Sequence, residues 1–327
     1  MGVTVDDIAR ACGVSRGTVD RALNNKPRIS KETKEKILEV SEKMGYRPDL
    51  LARSLVKGRS MSIGVVVFDI QNRFFAQLLN SIVNEAKRKN YFVNITIQEE
   101  DPDLELQLIN RLVDRRNDGI IICPVNKGQA FIEFLKDLPI PVIVIGNEIS
   151  DEISYIGIDD YKAARDATDL IVSKNYNQIV FVCPPLENKD KENIYSHEQR
   201  LAGFLDVMNE NKSIGYAVID HSNYIADIKN YLQQDKKTAF FCSGDTFALD
   251  ILKHFRKIGK KVPENIGIMG FDGIDTLEHV TPSLATVFYP VEKIGTMAIS
   301  NLIDLMNGKD IDKHIVIPHE IILGESL

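Results

Sequence analysis

The chain has 327 residues, of which 44% are apolar and 27% charged, and a formal net charge of −7. This length and composition exclude a disordered or fibrous polypeptide and exceed one hydrophobic core, so more than one compact unit is expected. No run of about 18 apolar residues occurs and the first helix carries Asp and Arg, which argues against a membrane span and a signal peptide and for a cytoplasmic protein.

The charge is unevenly placed. Residues 1–60 hold 13 Lys+Arg and 8 Asp+Glu, leaving 27 and 39 of the chain's 40 and 47 for the remainder. A basic amino-terminal module on an acidic body points to nucleic acid as a ligand of the first sixth.

In chain order, Thr4 and Asp7 form a capping-box pattern before Val5, Ile8, Ala9 and Cys12, which repeat at helical spacing. Gly13 suits a left-handed helix end, Val14 a plug between helices, and Ser15 the cap of a second helix. This spacing predicts a helix-turn-helix. In its second helix Thr18, Val19, Ala22 and Leu23 divide between groove edge and core, while Arg16, Gly17, Asp20 and Arg21 project outward toward base edges. Ser30 caps a third helix with Ile37, Leu38, Val40, Ser41 and Met44 inward, ended by Gly45. A three-helix bundle with a merely solvated charge face is the bland alternative.

Thr4-Val5-Asp6-Asp7-Ile8-Ala9, Gly13-Val14-Ser15, Thr18-Val19, Arg21, Ala22-Leu23-Asn24, Tyr46-Arg47-Pro48 and Ala52-Arg53-Ser54-Leu55 together resemble the LacI/GalR family of bacterial repressors. The resemblance extends over the whole chain. It implies a DNA-facing set of Thr4, Ser15, Arg16, Gly17, Thr18, Arg21, Asn24, Tyr46, Ala52, Arg53 and Leu55. It also implies that residues 47–60 form a hinge helix that folds on the operator, pairs with its twin in a second subunit and wedges Leu55 into the minor groove. Without the resemblance, the bland alternative for Leu55 is a leucine packing a linker helix onto the body. Asp20 and Asp49 depart from the family pattern, bringing negative charge near phosphates. Asp20 can accept from cytosine or hold Arg16, and Asp49 suits a helix start.

From residue 61 the pattern turns to strands alternating with helices. Residues 63–68, 92–97, 119–123 and 142–145, then 179–183, 217–220, 238–242 and 266–271, are apolar runs, separated by helical stretches such as 75–89 and 104–115. Such runs suit parallel sheets covered on both faces. The fold class expected is α/β: a small all-α helix-turn-helix head (1–46), the hinge (47–60), and a two-lobed body of doubly wound parallel sheets (61–327), type I periplasmic-binding-protein-like by resemblance. Lobe 1 is placed at about 61–159 plus 290–318, and lobe 2 at about 160–289 plus the C-terminal end. Crossings are expected near Asp159-Asp160, Tyr289-Pro290 and Pro318.

Ligands of open α/β sheets sit beyond the carboxyl ends of the strands. That rule and the resemblance give a candidate effector set of Asp69, Asn72, Phe74, Phe75, Asn147, Arg200, Gly244, Asp245, Asp272 and Tyr289. Arg200 and Asp272 resemble the guanidinium and carboxylate that grip ligand hydroxyls; taken singly, each reads as well as an ion-pair or capping residue. Asp245 reads first as the cap of a helix starting at Thr246. Gly146 and Gly244 stand where sugar binders often carry Asp and Asn.

Cys12, Cys123, Cys183 and Cys242 read as buried free thiols. The six histidines lack metal-ligand spacing, and no Walker loop, nucleophile elbow or dinucleotide fingerprint occurs. No cofactor, metal or enzymatic activity is expected. The partners expected are double-stranded operator DNA, a small sugar-like effector and a second copy of the chain, a dimer being favoured by the lack of an appended leucine repeat. The competing classes are a solute-binding receptor without a DNA role, and a cleft enzyme.

Overall fold

The computed structural model describes residues 3–46, 58–187, 192–232, 236–264 and 266–327. Its contacts separate into two units, Met1–Ser60 and Met61–Leu327.

In the first unit α1 (Val5–Cys12), α2 (Arg16–Leu23) and α3 (Lys31–Lys43) close over Ile8, Ala9, Cys12, Val19, Ala22 and Ile37. Helices this short are marginal alone in water, so side-chain caps and shared core hold them. Thr4 Oγ1 accepts from Asp7 N–H at 3.3 Å while the Asp7 carboxylate accepts from Thr4 N–H at 2.9 Å. Ser15 and Ser30 hydroxyls accept from Thr18 and Thr33 N–H, each at 3.2 Å. Gly13, at φ +68°, ends α1 by donating its N–H to the Ala9 and Arg10 carbonyls. Val14 then packs on the core. Leu38 differs from expectation and is 41% exposed, because the inward stripe of α3 runs through Ile37 and Ser41, one turn apart, and Leu38 lies around the helix from it.

The second unit holds two six-stranded sheets. The first comprises β1 (Ser62–Val67), β2 (Phe92–Ile97), β3 (Gly119–Ile122), β4 (Val142–Ile145), β5 (Ser154–Gly157) and β11 (His314–Val316), in the order β11-β5-β4-β3-β1-β2, all parallel. The second comprises β6 (Gln178–Val182), β7 (Gly215–Ile219), β8 (Thr238–Cys242), β9 (Ile266–Asp272), β10 (Ala285–Phe288) and β12 (Glu320–Ile322), in the order β12-β10-β9-β8-β6-β7. Only β12 is antiparallel to its neighbour.

The helices are α4 (Arg73–Arg88), α5 (Pro102–Asp114), α6 (Gln129–Lys136), α7 (Asp160–Ser173), α8 (Tyr195–Glu210), the one-turn α9 (Tyr224–Asp227), α10 (Asp245–Lys257) and α11 (Val291–Met306). Ile63, Val65, Val66 and Val67 of β1 are wholly buried, which requires helices on both faces of the sheet. Gly64 lies among them because a Cβ there would come within 2.7 Å of Leu112. The helices also interlock the lobes. α7 follows β5 but packs on α8 beside the second sheet, and α11 follows β10 but packs on α4 beside the first. The chain therefore crosses between lobes after β5, after β10 and after β11. These crossings lie beside the carboxyl ends of the strands, where a cleft opens.

Candidate functional site

Two surfaces carry chemistry, one in each unit. On the head, Val19 and Ala22 anchor α2 in the core while Arg16, Gly17 and Arg21 are exposed. The Ser15 cap fixes the first turn of that helix, and its hydroxyl also meets Thr18 Oγ1 at 2.9 Å. Arg16 leans toward Asp6 at 3.5 Å, an exposed pair that phosphate can readily replace. Asp20 does not hold Arg16. Its carboxylate accepts from Asn24 Nδ2 at 2.7 Å and Lys26 Nζ at 2.8 Å, so Asn24 is tied to the back of the helix and Asp20 buffers the turn that follows. Thr4 is engaged in its cap, and Tyr46 packs against the head core. Ala52, Arg53 and Leu55, with Pro48 and Asp49, lie outside the described residues.

In the second unit a cavity of about 350 Å³ lies between the lobes at the carboxyl ends of the strands. Asp69, Asn72, Phe74, Phe75, Asn147, Arg200, Gly244, Asp272 and Tyr289 all line it. Asp69 and Asn72 also shape their own loop: Asp69 Oδ1 accepts from Asn72 N–H at 2.7 Å, and Asn72 Oδ1 accepts from Phe74 N–H at 3.1 Å to cap α4. This turns Phe74 into the cavity wall, edge-to-face with Phe75 at 5.2 Å and with Tyr289 at 5.0 Å.

Asp245 stands apart from the expected set. It does not line the cavity, nor does its side chain cap α10. It is wholly buried: Oδ1 accepts from Thr286 Oγ1 at 2.7 Å and Oδ2 from Ile274 N–H at 2.9 Å, stitching the start of α10 to the loop after β9 and to β10. A Cβ at Gly270 would collide with its Oδ1 at 2.0 Å. Burial raises the Asp245 carboxyl to about 7 against those hydrogen bonds. The pattern of an acid just inside a helix start reads as a cap in sequence; tertiary partners more than 25 residues away claimed it instead.

Arg200 is 5% exposed and is held on three sides. Nε donates to Asp160 Oδ1 at 2.7 Å, Nη1 donates to the Ser243 carbonyl at 2.6 Å, and the guanidinium lies 3.6 Å over the Phe271 ring. Asp272 approaches Nη1 at 3.5 Å. Its backbone sits at φ +113°, a strained conformation of the kind found where side-chain placement is functional. Burial pushes the Asp272 carboxyl above its usual range, opposed by Arg200. Burial likewise lowers His197, one turn before Arg200, to about 3, with the Arg200 charge adding to the shift.

Several buried polar atoms here find no hydrogen-bond partner among the described residues: Ser243 Oγ, Tyr289 Oη and His197 Nδ1 on the cavity wall, and Asp160 Oδ2 behind it. Buried polar groups rarely stay unpaired, so the wall is built to be completed by a polar ligand or water.

Asn147 does something else as well. Its Nδ2 donates to the Asn193 carbonyl at 2.7 Å, and its Oδ1 accepts from Ser196 N–H at 3.1 Å and Ser196 Oγ at 2.8 Å. It thus clasps the start of α8 to the first lobe. Opposite, Arg73 of α4 forms a two-pronged pair with Asp275 at 2.6 and 2.5 Å, and Gln77 accepts from Asp275 N–H at 3.0 Å. Sequence reasoning did not single out Phe68, Glu100, Asn193, Ser196, His197, Ser243 or Phe247, all of which line the cavity. Glu100 and Ser243 follow β2 and β8 closely enough for the strand-end rule to have flagged them.

A capped helix-turn-helix module in the same chain as a hinged two-lobed α/β body with a polar cleft defines the class of ligand-responsive DNA-binding regulators. Residues 4–49 match the bacterial regulatory proteins of the lacI family, and residues 168–327 match a periplasmic binding protein-like domain. Catabolite control protein A of Priestia megaterium is 31% identical over 100% of this chain and 99% of that protein. The lac repressor dimer bound to operator and the anti-inducer ONPF superimposes with a TM-score of 0.87 at 21% identity, covering 100% of this chain and 99% of that one. A periplasmic binding protein/LacI transcriptional regulator from Alkaliphilus metalliredigens QYMF, complexed with D-xylulofuranose, gives 0.71 at 26% identity over 81% and 98%. The chain belongs to the lacI family of transcriptional regulators and is a DNA-binding regulator rather than an enzyme. Among the described residues no helix is long and apolar enough to cross a membrane.

Proposed function

We propose that this regulator is a cytoplasmic repressor that binds a pseudo-palindromic operator as a homodimer, under allosteric control by a small sugar-like effector in the interlobe cavity. The carrying observation is the division of α2: Val19 and Ala22 locked in the core, Arg16, Gly17 and Arg21 exposed on the other side, on a module of net charge +5. Arg16 and Arg21 are the readers of base edges, and Ser15, Thr18 and Thr4 contact backbone phosphates from helix starts. Residues 1–46 act as the reading head, 47–60 as the hinge with Leu55 as its wedge, and 61–327 as the sensor, with lobes at 61–159 plus 290–318 and 160–289 plus the C-terminal end.

Dimerisation is supported by apolar side chains left in solvent along one edge of the first lobe. Phe92 and Ile95 of the edge strand β2 are 72% and 44% exposed, and an uncovered apolar sheet edge is a ready template for a second copy. The effector reading is supported by the unpaired Ser243 and Tyr289 hydroxyls beside Asp272 and Arg200, and by the sugar in the Alkaliphilus relative. Closure of the lobes around an effector changes the operator affinity, and operator changes effector affinity by the same factor.

A gel shift tests this: the full chain shifts operator-like duplexes, and the shift disappears when residues 1–60 are removed. Retention of specific binding without them would refute the proposal.

A further inference from the structure

The cavity lining is electrostatically lopsided. Arg200 is its one Lys or Arg among the described residues, and its contacts with Asp160, the Ser243 carbonyl and Asp272 already occupy it. Against it stand Asp69, Glu100 and Glu192 as well as Asp272. Among the described residues no Lys or Arg pairs with Glu100 or Glu192, and Glu100 is pushed above its usual range first by partial burial and then by the nearby charges of Glu192 and Asp69. Among the described residues, a phosphate or carboxylate entering here meets like charge with no free guanidinium to receive it.

Two further observations point to a ligand in the same space. Ser243 and Tyr289, each about 1% exposed, line the cavity, and their buried hydroxyls have no hydrogen-bond partner among the described residues. Phe68, Phe75, Phe74 and Tyr289 form, in that order, a run of rings with successive centroids 5.0 to 5.2 Å apart, and ring faces attract cations.

Taking the cavity as the effector site, we propose that it selects a hydroxylated ligand carrying a protonated amine, of the amino-sugar or amino-polyol class, and rejects phosphorylated or carboxylated ones. The hydroxyls meet Asp272, Ser243 and Tyr289 at the inner wall. The ammonium meets Asp69, Glu100 and Glu192 near the mouth.

The test is titration calorimetry on the full chain at low salt and mildly acidic pH, where the amine is protonated. Glucose, galactose and mannose are each compared with the corresponding hexosamine and hexose phosphate. At least one hexosamine is expected to bind on the order of tenfold tighter than its neutral parent, as a charge-assisted hydrogen bond implies. Its phosphate should not bind detectably. The preference should shrink with added salt and in Glu100→Gln and Glu192→Gln; the salt series on the unmodified chain decides if either variant misfolds. A neutral or phosphorylated hexose that binds as well as its amino counterpart overturns the amine reading and leaves the effector site standing. Silence across all nine compounds overturns both.

Discussion

Removing the Arg200 side chain is the perturbation whose outcome the structure constrains most tightly. Arg200→Ala leaves Asp160, 2% exposed, without its 2.7 Å partner, frees the Ser243 carbonyl, and empties the space over Phe271. Breaking a buried ion pair by deleting one member costs about 3–5 kcal/mol, whereas replacing both members by groups of similar volume is often close to neutral. Arg200→Ala is therefore expected to lose that amount in urea unfolding of the sensor unit, and Arg200→Met combined with Asp160→Asn to recover more than half of it. The loss also depends on pH. Burial already raises the Asp160 carboxyl, opposed by Arg200, and without the arginine its folded pKa rises further above the unfolded value. The folded state then holds an extra proton at low pH, so the variant's deficit is smallest in acid and grows as pH rises through that pKa. A deficit below about 1 kcal/mol, or a double variant no better than the single, would refute the claim that Arg200 is first a structural counter-charge and only secondarily a ligand contact.

Ile8→Ala, at a wholly buried head position, is expected to cost about 2–5 kcal/mol and unfold so small a module, abolishing DNA binding while effector binding, read by calorimetry, persists. Arg21→Ala should weaken operator binding by about 1–3 kcal/mol and relax preference at one base pair, measured by selection from randomised duplexes; uniform weakening would assign it to phosphate instead. Arg73→Ala removes an exposed, solvent-screened pair, so global stability barely changes while the open–closed balance of the lobes shifts, visible as a broader distance distribution between spin labels on the two lobes. His197, neutral in the fold down to about pH 3, must lose a stabilising contribution as pH falls below its unfolded value, because only the unfolded chain then gains the proton. His197→Gln should thus gain on the order of 1–2 kcal/mol relative to the parent between pH 8 and pH 5 in chemical denaturation; a pH-independent difference would exclude the titration.

The sequence made the architecture legible because its signals are local. Capping residues and Gly13 set the head helices, and uninterrupted apolar runs such as 63–67 set the central strands. The shortest strands were missed for the converse reason. β5, β10, β11 and β12 span only three or four residues, and β11 and β12 carry exposed positions such as Val316 and Ile322, so their pairing partners rather than their own pattern define them. In the cavity the strand-end rule and the family resemblance together found nine lining residues, but the functions of several depend on chain segments far away. Asn147 is drawn into a clasp by Asn193 and Ser196, Asp245 is claimed by Thr286 and Ile274, and Asp20 turns to Lys26 rather than Arg16. Hydrogen-bond partners separated by tens of residues leave no periodic trace.

The central claim is that the exposed face of α2 reads a duplex under control of the interlobe cavity. Footprinting of the full chain on its selected operator, repeated with saturating ligand, tests it most directly. The account predicts two protected half-sites about one helical turn apart that are lost in Arg16→Ala/Arg21→Ala and change in occupancy with ligand. Protection that survives that double substitution, or that is indifferent to a ligand bound in the cavity, would contradict it.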